Sequence, residues 1–271
     1  MKKLVLLALC VFAAATVFAG GKKDSGTGAS ADKSLEQILA KKRFIMGLDD
    51  SFPPMGFRNE KGEIVGYDVD LAREVCRRLG VELVLQPIDW NAKEQELNTG
   101  EIDCIWNGFT ITDERKQALT FTPPYLKNAQ VVVVRSTSAY QKLGDLAGKW
   151  VGVQAGSSAQ DALDDAAAFR ASLKGVIEFK ENLTALMDLE TGGVDAVVMD
   201  LLVANDNIHR SGKNFRILAE TLAPEEYGVG FRKADAALAG KVWETLQGMA
   251  KDGTVTKFAV QWFGADISVI R

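Results

Sequence analysis

Short runs of β-forming residues alternate with amphipathic helical patterns along most of this chain. Residues 44–48 form an apolar run typical of a buried strand, the stretch from Gly66 to Gly80 has helical periodicity, and residues 81–85 return to a strand pattern. Parallel neighbours need a crossover connection, so a strand that recurs after each helix favours parallel pairing. We therefore predict an α/β protein with mainly parallel sheets.

Two short motifs recur in the same order in the second half of the chain. Thr99-Gly-Glu-Ile-Asp-Cys-Ile is echoed by Thr191-Gly-Gly-Val-Asp-Ala-Val, and Ile45-Met-Gly-Leu by Trp150-Val-Gly-Val. Each copy stands where a predicted strand meets a loop. The echoes predict two Rossmann-like lobes joined by two hinge strands, with residues 35–134 and 226–271 in lobe 1 and residues 135–225 in lobe 2.

The N-terminus has the pattern of a secretory signal. Lys2 and Lys3 precede an apolar run, and Ala19 ends a small-x-small cleavage pattern. We predict a signal peptide over residues 1–19 and a flexible polar leader over residues 20–34. The protein is then secreted across the inner membrane to the periplasm. The alternative is lipidation at Cys10, which would anchor the chain on the outer face of the membrane.

Composition argues against several classes of function. The formal net charge is −4 and no basic patch stands out, so we expect no nucleic-acid partner. The single histidine, His209, disfavours zinc binding and His-based catalysis, and we expect neither a metal nor a cofactor. Cys76 lies in an amphipathic helix pattern and Cys104 in an apolar strand, which favours buried free thiols over a disulfide.

Polar residues follow the predicted strands of both lobes, where open α/β sheets bind ligands. These strand-end positions are Asp49, Asn107, Ser157 and Asp200. Thr112 is the predicted N-cap of the next helix, which places Arg115 in the first helical turn. Helix-start N–H groups and an arginine fork both favour anions, so the sequence predicts a pocket for a small carboxylate.

Four blocks of the chain carry a resemblance to a known family. They are FPPMGFRNEKGEIVGYDVDLAREV, IDCIWNGFTITDERKQALTFTPPY, LAGKWVGVQAGSSAQ and GGVDAVVMD. In this order they resemble the polar amino acid-binding proteins of ABC uptake transporters, which are the solute-binding proteins of family 3 with the type II periplasmic binding fold. The resemblance covers nearly all of the chain after the signal peptide.

The resemblance implies roles for the residues that would hold the two charges of an amino acid. Arg115 would clamp the α-carboxylate, helped by the backbone of Gly108 and the hydroxyl of Thr110. Asp200 would accept the α-ammonium, although it could instead be only the N-cap of the following helix. Two serines would add carboxylate contacts from lobe 2, with helix capping as the alternative role: Ser157 and Ser158.

The resemblance also implies which residues meet the ligand side chain. Phe52 and Trp90 would flank it, with a place in the core as the alternative. Asp49 would meet a basic or amide group, or else only stabilise its turn. Three further site positions differ among relatives and so bear on the identity of the ligand: Asn107, Phe109 and Gln154.

The function that the resemblance implies is capture of a polar amino acid between two closing lobes and delivery to an ABC transporter membrane permease. Asp49 and the two aromatic residues favour arginine, lysine or glutamine, with cystine and other polar ligands left open. We expect a monomer without enzymatic activity. The alternative is an enzyme on the same fold, such as a dehydratase of a small cyclic acid.

Overall fold

Strands and helices alternate over residues 32–271, the part of the chain that the computed structural model describes. The predicted signal peptide and most of the predicted leader lie outside these residues. Ser34, assigned to the leader from the sequence, instead begins the first helix. Within the described part, no helix combines the length and apolarity that crossing a membrane requires.

The strands of the described residues are β1 (Arg43–Leu48), β2 (Ser51–Phe52), β3 (Gly56–Arg58), β4 (Ile64–Val65), β5 (Glu82–Pro87), β6 (Cys104–Ile105), β7 (Leu119–Phe121), β8 (Leu126–Arg135), β9 (Trp150–Gln154), β10 (Gly175–Phe179), β11 (Ala196–Asp200), β12 (Phe215–Tyr227) and β13 (Gly230–Arg232). They form two five-stranded sheets and a small three-stranded one.

The helices are α1 (Ser34–Lys41), α2 (Tyr67–Leu79), α3 (Lys93–Thr99), α4 (Asp113–Ala118), α5 (Ser158–Asp165), α6 (Ala167–Ser172), α7 (Asn182–Thr191), α8 (Leu201–Ser211), α9 (Ala236–Lys251) and α10 (Thr254–Phe263). Short 3₁₀ turns cover Trp90–Ala92 and Leu143–Leu146. Asp89 caps the first of these turns, since its carboxylate accepts from the Asn91 N–H at 3.0 Å.

In each large sheet four strands run in one direction and one strand runs antiparallel to them. The first has the order β5-β1-β6-β13-β7 and the second β10-β9-β11-β8-β12. The reversed strand is β13, between β6 and β7, in the first sheet and β8, between β11 and β12, in the second. We call the first sheet with its helices lobe 1 and the second sheet with its helices lobe 2. The predicted α/β class with mainly parallel sheets is confirmed.

The repeated motifs occupy equivalent places in the two sheets. Gly47 pairs with Ile105 in lobe 1, and Gly152 pairs with Val197 in lobe 2, at the same positions of the echoed sequences. The aspartates of the motifs also act alike: Asp103 accepts from the Ile45 N–H at 2.7 Å, and Asp195 accepts from the Trp150 N–H at 3.1 Å. The sequence echo therefore reflects one βαβ plan used twice.

Two long antiparallel strands connect the lobes. The pairing of β8 with β12 begins in lobe 2, where Arg135 lies opposite Phe215, and ends where Leu126 lies opposite Tyr227. There a bridge between Thr110 and Tyr227 joins the two strands to lobe 1. This pairing differs from the predicted lobe boundary, which placed residues 130–134 in lobe 1. The apolar run of β8 is buried on both faces and therefore fits an interior position of the second sheet, between β11 and β12.

Candidate functional site

Nine of the predicted site residues line one narrow cavity between the lobes, with a volume of about 10 Å³. Lobe 1 contributes Phe52, Trp90, Gly108, Thr110 and Arg115, and lobe 2 contributes Gln154, Ser157, Ser158 and Asp200. The other three predicted residues are not part of this lining: Asp49 contacts Gln154, Phe109 contacts Trp90, and Asn107 accepts from the Asp49 N–H. The loops at the strand ends therefore meet as the sequence predicted.

Arg115 is held by the start of α4 and by the floor of the cavity. The Thr112 hydroxyl caps the helix by accepting from the Arg115 N–H at 3.1 Å, as predicted. The guanidinium lies 4.7 Å from the centre of the Phe109 ring and donates to the Thr110 carbonyl at 3.0 Å. Its acidic neighbours, Glu94 and Asp161, are 3.9 and 3.7 Å away, longer than a charge-assisted hydrogen bond of about 2.7 to 2.9 Å.

Gly108 does not offer its N–H to the cavity. This N–H donates to Asp68 Oδ2 at 2.7 Å, and the Tyr125 hydroxyl donates to the same oxygen at 2.8 Å. Burial raises the pKa of Asp68 to about 7. Gly108 has a positive φ of 55°, and a Cβ there would lie 2.9 Å from the Phe52 ring. This N–H is therefore bonded within lobe 1, and the backbone at Gly108 brings Phe52 close.

The two serines of lobe 2 have different roles. Ser157 caps α5 by accepting from the Gln160 N–H at 3.3 Å, and its hydroxyl donates to the Gln154 carbonyl at 2.7 Å. Ser157 thus caps a helix, the alternative weighed for both serines, and it also lines the cavity. The Ser158 hydroxyl instead faces lobe 1, 2.9 Å from the Thr110 hydroxyl.

Asp200 is buried at the end of β11 and accepts several hydrogen bonds. Its Oδ1 accepts from Asn128 Nδ2 at 2.8 Å, Gln130 Nε2 at 3.1 Å and the Tyr227 hydroxyl at 2.5 Å. Its side chain does not cap α8, because the N–H of Leu202 donates to Asn128 Oδ1 instead. Burial, followed by the charge of Glu225, raises the pKa of Asp200 well above its usual range.

Asp49 both stabilises its turn and contacts the other lobe. Its Oδ1 accepts from the Ser51 N–H at 2.9 Å and from the Ser51 hydroxyl at 2.7 Å, while its Oδ2 accepts from Gln154 Nε2 at 2.7 Å. Gln154 is fixed by Asn182 Nδ2, which donates to its Oε1 at 2.9 Å. Asp49 lines a neighbouring cavity of about 180 Å³ and shares that lining with Trp90. Burial raises the pKa of Asp49.

The aromatic residues belong to the core and to the cavity wall at once. Phe52 and Trp90 are buried, yet both line the cavity. Trp90 packs edge-on against Phe109 at 5.8 Å, and Phe109 lies beneath the guanidinium of Arg115. Asn107 supports the loop from behind, where its Oδ1 accepts from the Asp49 N–H at 3.2 Å.

Comparison with known proteins identifies the family. The family model described as bacterial extracellular solute-binding proteins, family 3, matches residues 44–265. The chain belongs to this family. Its lobes, hinge strands and interlobe cavity have the type II periplasmic binding fold of the structures to which this family 3 protein is similar.

Several relatives of this family 3 protein have named ligands. It is 31% identical over 238 residues to the L-cystine-binding protein TcyJ of Escherichia coli K12, covering 86% of this chain and 87% of the relative. Tv2483 bound to L-arginine is 37% identical with a TM-score of 0.85, covering 88% of this chain and 98% of that one. A substrate-binding protein of an ABC uptake transporter from Streptococcus pneumoniae, with bound histidine, is 33% identical with a TM-score of 0.86, covering 89% and 99%.

Sequence reasoning missed several polar residues around the cavity of this family 3 protein. Lys93 is buried and donates to the Gly156 carbonyl of lobe 2 at 2.8 Å. The sequence did not predict this, because a lysine in a short polar helix gives no signal of burial. Gln130 begins a run of valines, and a polar residue in such a buried strand could have indicated a place near the site. Glu225 and Tyr227 gave no such signal, because strand pairing brings them to Asp200. The described residues contain no group of three or more His, Cys, Asp or Glu side chains arranged to hold a metal ion.

Proposed function

We propose that this protein binds a free polar amino acid in the interlobe cavity and delivers it to an ABC transporter permease. The observation that carries the proposal is the placement of Arg115 and Asp200, which line the same cavity from opposite lobes. A zwitterion that leaves water needs a partner for each charge. Arg115 receives the α-carboxylate, and Asp200 receives the α-ammonium.

Contacts between the lobes favour a closed form around the ligand. Thr110 meets Ser158, Lys93 meets the Gly156 carbonyl, and Gln154 meets Asp49. These contacts ring the cavity and depend on the approach of the lobes. A ligand that bonds to Arg115 and Asp200 together adds a further cross-lobe link, so its binding shifts the protein towards the closed state. The closed state then presents both lobes to the permease.

A cationic or amide side chain fits the surroundings of Asp49. The neighbouring cavity is lined by four carboxylates and one lysine: Asp49, Asp50, Asp89, Glu181 and Lys180. Trp90 lies between this cavity and the ligand cavity and offers a face on which a guanidinium or amide can stack. We therefore favour arginine, lysine or glutamine as the ligand. The arginine and histidine complexes of similar structures support a polar amino acid, and the cystine-binding relative keeps cystine among the candidates.

The proposed setting is outside the inner membrane, as for other extracellular solute-binding proteins. The mature protein acts as a monomer in the periplasm after removal of residues 1–19. Lipidation at Cys10 would instead hold it on the outer face of the membrane. Metabolic labelling with palmitate, in wild type and Cys10→Ser, distinguishes the two forms.

A thermal-shift screen against the common amino acids tests the proposed function. A ligand at a hundred times its Kd stabilises the folded protein by about 2.7 kcal/mol, so a binder raises the melting temperature clearly. Calorimetry on the best candidate should give one site per chain. Incubation with small cyclic acids tests the dehydratase alternative. Product formation, or a screen with no stabilising amino acid, would contradict the proposal.

A further inference from the structure

Two carboxyl groups share their hydrogen-bond donors at the hinge side of the cavity. Asn128 Nδ2 donates to Asp200 Oδ1 at 2.8 Å and to Glu225 Oε1 at 2.5 Å. Gln130 Nε2 donates to the same two oxygens at 3.1 and 2.9 Å. Because each amide nitrogen reaches both oxygens, the two carboxyl groups lie no farther apart than two hydrogen-bond lengths.

The described part of the chain places no cationic side chain in an ion pair with these two groups. Among residues 32–271, neither Asp200 nor Glu225 forms an ion pair with a lysine, arginine or histidine side chain. Two adjacent carboxylates that are not neutralised repel each other, most strongly where burial removes water. One proton held between the two groups relieves this repulsion, as does a cation placed against them.

The other charged groups around the pair are accounted for. On β12, Glu225 and Tyr227 face Asp200, while Glu226 alternates to the opposite side, where it pairs in register with Lys127 of β8. Arg115, from α4, is the remaining charged residue that lines the cavity.

Charged groups on the helices next to Asp200 have partners of their own. On α5, Asp161 faces Arg115. On α8, Asp206 pairs with Arg210 at 2.6 Å. The charge balance at Asp200 therefore depends chiefly on Glu225 and on what enters the cavity.

We propose that ligand binding is coupled to proton release from the Asp200–Glu225 pair, with Glu225 as the positioning residue that sets this coupling. The inference rests on the proposed function and deepens it. In the free protein the pair holds one proton. The α-ammonium of the ligand brings its positive charge and N–H donors to Asp200 and so relieves the repulsion between the carboxylates in place of that proton. The proton then passes to the solvent.

The sign of the pH dependence follows from this competition. The protonated pair disfavours the ammonium, so ligand affinity falls as pH falls through the titration of the free pair. Below that point the Kd rises by about tenfold per pH unit. Removing the Glu225 charge lowers the proton affinity of Asp200, so the fall in affinity moves to lower pH.

Isothermal titration calorimetry with L-arginine as the probe tests the coupling. If L-arginine does not bind, the most stabilising amino acid of the screen is the probe instead. Titrations in PIPES and Bis-Tris, which differ in ionisation enthalpy, give the number of protons released. Kd is measured from about pH 5 to pH 8. We expect proton release in the wild type, less release in Glu225→Gln, and a decline in affinity shifted to lower pH in that variant.

Two further variants sharpen the test. Glu226→Gln removes the neighbouring charge on the other side of β12 and should leave both the proton count and the pH profile as in the wild type. Tyr227→Phe removes a hydrogen bond that stabilises the Asp200 carboxylate, so its profile should move to higher pH, opposite to that of Glu225→Gln.

The outcomes separate this inference from the proposed function. Tight binding with no dependence on buffer, or the same pH profile in Glu225→Gln and the wild type, would overturn the coupling alone. Failure of the wild type to bind any amino acid would overturn the proposed function and the coupling together. Thermal melting of each variant checks that it is folded.

Discussion

Replacement of Arg115 gives the most direct test of the proposed site. Its side chain is 10% exposed and lines the cavity, and its guanidinium is oriented by Thr110 and Phe109. Arg115→Ala would leave the ligand carboxylate in a water-poor cavity without its counter-charge. Arg115→Lys would keep the charge but lose the planar fork that binds both carboxylate oxygens.

The magnitude of the loss follows from the burial of this pair. Truncating one partner of a buried, hydrogen-bonded charge pair costs about 2 to 5 kcal/mol, which weakens binding by roughly 30-fold to several thousand-fold. We expect an intermediate loss for Arg115→Lys. Folding is affected less, because the chain loses one hydrogen bond of about 1 kcal/mol and a contact with Phe109 of about 1 to 2 kcal/mol. α4 buries no side chain that would collapse with it.

Calorimetry with the ligand found in the screen measures the affinities, and urea unfolding measures stability. Lys116→Ala is the matched control, because Lys116 is the next residue of the same helix and its exposed side chain pairs only with Asp113 at the surface. Near-native affinity in Arg115→Ala, with the fold intact, would refute the assignment of the carboxylate. Equal losses in Arg115→Ala and Lys116→Ala would point to disruption of the helix instead.

Three other predictions follow from side chains near the cavity and in the core. Trp90→Ala should lower the free energy of unfolding by about 3 kcal/mol and change the ranking of ligands, because Trp90 is both buried and part of the cavity wall. Urea unfolding measures the first effect and the thermal-shift screen the second. An unchanged ranking would leave Trp90 only a core role. Burial raises the pKa of Asp68 to about 7, so the folded protein holds a proton that the unfolded chain has lost above about pH 4, and the stability of the wild type should rise as pH falls from about 7 towards 4. Asp68→Asn should lose this rise in a pH series of urea unfolding curves, and an identical series would contradict the assignment. Burial raises the pKa of Cys76 to about 12 and that of Cys104 well above its usual range, and both thiols are free. A thiol reagent should therefore label them only after guanidinium unfolding. Rapid labelling of the folded protein would show that the thiols are accessible.

The sequence alone was sufficient for the features that depend on neighbouring residues or on a general rule of α/β sheets. Periodicity predicted the class of fold, and the echoed motifs predicted two copies of one strand arrangement, which the register of Gly47 and Gly152 confirms. Thr112 predicted the start of α4 and hence the place of Arg115. The rule that strand ends meet at one edge predicted which loops border the cavity.

Only the tertiary structure decided where the hydrogen bonds of these residues go. The Gly108 N–H is taken by Asp68, and β8 lies in the second sheet, because each of these outcomes depends on groups that are distant in sequence and come together on packing. The same holds for Asp200, whose neighbour Glu225 is brought to it by the pairing of β8 and β12. Local patterns determine where a side chain stands along its element, whereas its charge state and partners depend on burial and on the other elements packed around it.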